Sequence, residues 1–221
     1  MWSRQLAVVL QVLLVNPTAA SRSITIAYDG SLRPAAYGAG RLRGAVIRAG
    51  ADAKLATTLS LDSEVAPEVM VELQDQAGGS EQGASVEGAF TIDRDQASRN
   101  GTQPAKVRLA AADGAGAMYA CLELAERLDT YMLGHHDPST ANLVWDEFVD
   151  SLPLPLVIEP RFEYRALKFN LPWSAYRPGN ATVENYNLCR NLTFWASFLD
   201  MMAENRYNVI TLWALHPWPC V

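Results

Sequence analysis

Three short stretches hold residue types that do chemistry in other proteins. His135-His136-Asp137 offers two imidazoles and a carboxylate, which are metal-ligand types. Adjacent side chains point different ways in regular backbone, and no further ligand cluster completes the set, so the stretch reads as a solvated loop. Gly114-Ala115-Gly116 follows an apolar run and opens a helical one, as a dinucleotide-binding turn would. Tyr119 stands at its third glycine position, and no second strand ends in an acid about 20 residues on. Gly83-Ala84-Ser85-Val86-Glu87 lacks the last glycine of a nucleophile elbow. No metal and no cofactor is expected.

The remaining short signals concern the compartment. Arg4, an apolar run over residues 6–15 and the small-residue ending Asn16-Pro17-Thr18-Ala19-Ala20 form the three parts of a secretory signal peptide over residues 1–20. The run is about half of the roughly 20 residues that span a bilayer, which argues against an anchor. A secreted, extracellular or lumenal protein with no membrane attachment after leader cleavage is expected. Asn100, Asn180 and Asn191 each head an Asn-x-Thr glycosylation sequon. Asn191 also precedes an apolar helical run, so a helix cap is the stronger reading of it. The cysteines are Cys121, Cys189 and Cys220, which cannot form a closed disulfide framework. Cys121 reads as a buried thiol, and pairing of Cys189 with Cys220 stays open.

Composition is that of a globular protein, 49% hydrophobic and 19% charged, with a net charge of −6. An acidic chain without a basic patch is a poor nucleic-acid binder.

The elements that must position any site follow from periodicity. Alternation predicts strands at 24–28, 55–61, 69–73, 90–92 and 107–111, with a loop over the Gly/Gln/Ser-rich 76–85. Helical spacing predicts helices at 34–49 and 114–134, the second capped by Asp113. Residues 135–149 read as irregular. Ser151-Leu152-Pro153-Leu154-Pro155 reads as a stiff connector, with a domain boundary near Pro160. A strand at 164–169, a helix at 194–204 and a continuous apolar strand at 209–215, of the kind buried on both faces, follow. Strand, helix and strand in that order imply a parallel unit.

Residues 104–221 resemble the front of a secreted glycoside hydrolase of the β-hexosaminidase and α-glucuronidase type, on three stretches. Residues 107–120, with Gly114-Ala115-Gly116 and Tyr119-Ala120, are similar to the close of a leading α/β domain, with Ala120 in place of a glycine. Phe162-Glu163-Tyr164-Arg165-Ala166-Leu167-Lys168-Phe169-Asn170 resembles a first barrel strand, and residues 201–213 the end of the first barrel helix and the second strand. The implied fold class is α/β: a small α+β leading domain, hexosaminidase-like, over residues 21–160. The start of a (β/α)8 barrel follows over 161–221.

That resemblance implies hydrolysis of a poly- or oligosaccharide. Arg165 matches the family arginine that binds sugar hydroxyls, its alternative being a salt bridge in the barrel floor. In such barrels the reactive face lies at the carboxyl ends of the strands. Asn170, Trp173, Trp213 and His216 fall at or just past strand ends. Indole faces suit the apolar faces of sugar rings, and amide and imidazole groups bind hydroxyls; rim or core packing is the alternative for both tryptophans. Trp213 and His216 stand where hexosaminidases have a histidine and then an aspartate, which points to a different sugar. A full barrel takes roughly 250 residues, so the two catalytic carboxylates are expected beyond Val221. The competing expectation is a non-catalytic secreted module that binds carbohydrate or protein.

Overall fold

The computed structural model describes residues 23–57, 67–73, 86–95, 105–134, 143–170 and 187–213. The chain runs β1 (Ile24–Tyr28), α1 (Arg33–Arg48), β2 (Ala53–Thr57), β3 (Val69–Leu73), β4 (Phe90–Arg94), β5 (Val107–Ala111) and α2 (Gly114–Gly134). After these come α3 (Trp145–Ser151), β6 (Leu156–Ile158), β7 (Ala166–Asn170), α4 (Leu192–Glu204) and β8 (Val209–Trp213). The fold is mixed α/β. Strands β1 to β6 form one sheet in the order β2-β1-β3-β5-β4-β6, and β7 pairs with β8 in a second.

The first sheet is parallel from β2 to β5; β4 runs antiparallel to β5, and β6 antiparallel to β4, so β6 again points the same way as the parallel strands. Alternation gives it one apolar face. Ile24, Ile26, Val69, Val71, Ile92, Val107 and Leu109 are buried, whereas Lys54 and Arg108 between them are exposed. Helices α1 and α2 lie side by side on that face and bury Leu42, Val46, Leu124 and Leu128 against it. Burying a side chain of this size contributes about 1.5–3 kcal/mol, so this face supplies most of what holds the layer together.

Two glycines set how closely these layers approach. A Cβ at Gly38 of α1 would lie 2.9 Å from the Met118 backbone of α2 and 3.0 Å from Cβ of Cys121. A Cβ at Gly116 of α2 would lie 2.4 Å from the carbonyl oxygen of Ala89, just before β4. Asp113 fixes the start of α2. Its Oδ1 accepts from the Gly116 N–H at 2.7 Å, as the sequence predicts for a cap, and its Oδ2 accepts from the Gly88 N–H at 2.9 Å.

Three elements depart from the sequence expectation. Residues 145–151, which fall largely in the stretch that reads as irregular, form α3. It docks through fully buried Phe148, and the Trp145 indole N–H donates to the Ala105 carbonyl at 3.0 Å. Seven residues are too few for a helical period to emerge from the sequence. Beyond the connector, residues 156–158 add β6 to the edge of the first sheet, where a run of three gives no alternation to read. The third departure is β8. Its apolar run predicts burial on both faces, yet Leu212 is 48% exposed, because among the described residues β8 pairs only with β7. Residues 214 and 215 of that predicted strand, like 58–61 of the second predicted strand and the loop at 76–85, lie outside the described residues.

Two outcomes follow. Gly38→Ala forces the methyl into the α2 backbone and should lower stability by about 1–3 kcal/mol in denaturant unfolding. An unchanged midpoint would show that the helices can part freely. Burial pushes the Cys121 thiol up to about 12, so at mildly alkaline pH an alkylating reagent should leave Cys121 unmodified in the native protein and modify it once unfolded.

Candidate functional site

The second sheet carries the candidate site. Its strands are parallel and in register from Ala166 with Val209 to Asn170 with Trp213. Asn170 and Trp213 therefore sit opposite each other at the carboxyl ends. Trp173, His216, Asn100, Asn180 and the His135-His136-Asp137 stretch lie outside the described residues. Among the described residues no group of acids, histidines and cysteines could hold a metal ion.

Helix α4 seats on this pair of strands through aromatic packing. Phe169 of β7 meets Phe194, Trp195 and Phe198 of α4 with ring centroids 5.9, 4.9 and 5.5 Å away. These tilted and edge-on contacts suit ring quadrupoles and fix the rotation of the helix. The Trp195 indole N–H donates to the Cys189 carbonyl at 2.8 Å, which ties the approach segment to the helix. Asn191 caps α4: its Oδ1 accepts from the N–H groups of Thr193 at 2.9 Å and Phe194 at 3.3 Å. The capping alternative for this residue is thus realised in the geometry.

Arg165 lies just ahead of the amino end of β7, at the opposite end of the sheet from Asn170. Its Nε donates to the Arg206 carbonyl at 2.6 Å and its Nη1 to the Phe162 carbonyl at 2.7 Å. The guanidinium lies 5.7 Å from the centroid of the Tyr119 ring, a cation–π distance. These partners are two carbonyls and a ring, in place of the salt bridge that is the alternative for this residue.

Two neighbours of Arg165 escape a reading of the sequence. Asn208 braces both strand starts, since its Oδ1 accepts from the Arg165 N–H and its Nδ2 donates to the Glu163 carbonyl, both at 2.8 Å. An asparagine directly before an apolar strand is the available signal. Arg206 reaches α2 and bonds Glu126 at 3.1 and 3.2 Å and Glu123 at 3.4 Å. A cavity of about 310 Å³ opens beside this contact, lined by Arg41, Arg48, Glu126, Asp129 and Glu204 among others. Its charges are matched in pairs, Arg48 with Asp129 at 2.7 Å, Arg41 with Glu204 and Arg206 with Glu126. The cavity thus belongs to a joint between helices and offers no spare charge to a ligand.

No protein-family model and no curated protein matches the chain. Among solved structures the fold resembles that of a GH138 enzyme targeting pectin rhamnogalacturonan II, with a TM-score of 0.56 and 19% identity. The likeness covers 89% of this chain and 19% of that one, so the chain spans about a fifth of its neighbour. It supports a glycoside-hydrolase-like fold, and the solved structure that carries the likeness is a GH138 enzyme, where the sequence motifs point to the hexosaminidase and glucuronidase type.

The cap makes a clean test. Asn191→Ala leaves the first amides of α4 without their acceptor and should cost about 1 kcal/mol in denaturant unfolding. Asn191→Asp, which removes the sequon but keeps the acceptor, should unfold like the parent; equal loss in both variants would count against the cap.

Proposed function

We propose that this chain is the front of a secreted glycoside hydrolase. In this reading residues 1–20 are its leader, 21–160 its leading α/β domain, and 161–221 the first strand, helix and second strand of a (β/α)8 barrel. The observation that carries it is the β7–α4–β8 unit. Two parallel strands bridged by one helix follow an α/β layer, and Leu199 at 50% and Leu212 at 48% exposure leave apolar surface open. Two strands do not make a stable sheet alone, so such a unit calls for more strands and helices. The GH138 likeness supports the same reading over most of the chain.

The substrate class is a plant-type polysaccharide or its oligosaccharides, pectic material first. Asn170 and Trp213, paired at the carboxyl end, would contact the sugar together with Trp173 and His216. Arg165 serves the site at a distance, by holding the start of β7 to the start of β8. A carboxylic acid on a later strand would protonate the leaving oxygen, and a second carboxylate would act on the other side of the bond. Asn100 and Asn180 are proposed glycan acceptors on the secreted protein.

Two measurements decide between this and a stand-alone binding module. The intact, deglycosylated protein from its native source should be far heavier than a chain of 221 residues; a mass matching those residues less a leader would favour the module. On pectic oligosaccharides the native enzyme should release reducing ends, and Trp213→Ala should raise KM about tenfold, the equivalent of roughly 1.4 kcal/mol of binding. Hydrolysis unaffected by Trp213→Ala would remove that residue from the site.

A further inference from the structure

Helix α4 ends in a turn that normally asks for glycine. The Tyr207 N–H donates to the Met202 carbonyl at 2.9 Å and the Arg206 N–H to the Ala203 carbonyl at 3.0 Å. This doubly bonded ending places the residue after the cap in left-handed backbone, where a Cβ is strained and glycine is usual. Arg206 occupies it, at φ 63°, and is the one non-glycine residue with positive φ among those described.

The side chain accounts for an arginine there. Its two terminal nitrogens bond both carboxylate oxygens of Glu126, at 3.2 and 3.1 Å, in a fork-to-fork pair, and one reaches Glu123 at 3.4 Å. Glu123 is steadied by Arg127 one turn on, at 2.8 Å. The Arg206 carbonyl meanwhile receives Nε of Arg165, whose guanidinium rests over Tyr119. The left-handed turn is what lets one residue offer its carbonyl to β7 and its side chain to α2. Around it the contact is polar, with the Arg41–Glu204 pair completing it from α1.

We propose that Arg206 is a positioning residue, a charged latch that sets the β7–α4–β8 unit on the leading layer and so orients the carboxyl ends of β7 and β8. This holds whether or not the chain acts on sugars. The latch is partly open to solvent, with the Glu126 side chain 60% exposed, so salt should weaken it.

Amide hydrogen exchange on the full chain tests it, with Arg206→Gly as the decisive variant because it relieves the backbone while deleting the latch. Protection of β7 and β8 should fall at least about tenfold relative to β1, β3 and β5. Arg206→Lys, which keeps a cation but not the fork, should rescue part of the loss. Raising the salt to about 1 M should move the parent toward Arg206→Gly and leave that variant unmoved. Protection in Arg206→Gly equal to or above the parent, as a merely relaxed helix end would give, overturns the proposal. Should that variant fail to fold, the Glu123→Ala, Glu126→Ala double variant leaves the turn intact and decides alone: lost β7–β8 protection supports the latch, and unchanged protection refutes it.

Discussion

Helix α2 is seated on the sheet at its first turn, and every later contact inherits that placement. Asp113 joins the Gly116 and Gly88 amides through its two carboxylate oxygens, and Gly116 comes so close to Ala89 that no side chain fits between them. From that seat a single stripe runs along the helix: Gly116, Tyr119, Glu123 and Glu126, at steps of three and four residues. The first member touches the leading sheet, the second lies under Arg165, and the last two hold Arg206. One helical face thus carries the geometry of the leading layer over to the β7–α4–β8 unit. The bonds along it change in kind, from steric fit to ring-and-cation contact to ion pairs.

The parts legible in the sequence are those whose period is long enough to count. Strands β1, β3 and β5 stand at the residues where alternation puts them, and α2 begins and ends between Asp113 and Gly134 as its capping and spacing require. What escapes is either too short or set by tertiary contacts. Helix α3 exists because Phe148 and Trp145 find a buried seat against Tyr131 and Ala105, which no local pattern encodes. Arg165 stands out through a family resemblance, but its partners are the main-chain carbonyls of Phe162 and Arg206, and only the fold reveals which carbonyls converge on it. Asn170 and Trp213 read as residues at strand ends, but that they stand opposite each other is set by the β7–β8 register, which comes from the fold.

The glycoside-hydrolase-like fold is consistent with this division of labour. In the leading layer the sheet has an apolar face that α1 and α2 cover, and α3 adds Trp145 and Phe148 to the same core. In the second unit α4 packs on the two-stranded sheet through Phe169 and its aromatic neighbours, with Leu199 and Leu212 in the open. A charged latch between the two suits a layer that orients its neighbour.

The short strand β6 has a bearing on how the molecule can grow. It offers three residues to the outer rim of the first sheet, with Pro155 immediately before it and Glu159-Pro160 immediately after. Proline has no amide hydrogen to donate, so a further chain would find little to pair with there. The far rim, β2, sets the exposed ammonium of Lys54 against any incoming strand. By contrast β8 reads Val-Ile-Thr-Leu-Trp, without proline or charge, and among the described residues has a partner on one side alone. Among the described residues, proline and charge guard the rims of the first sheet, whereas β8 presents an uncharged, proline-free strand with one partner.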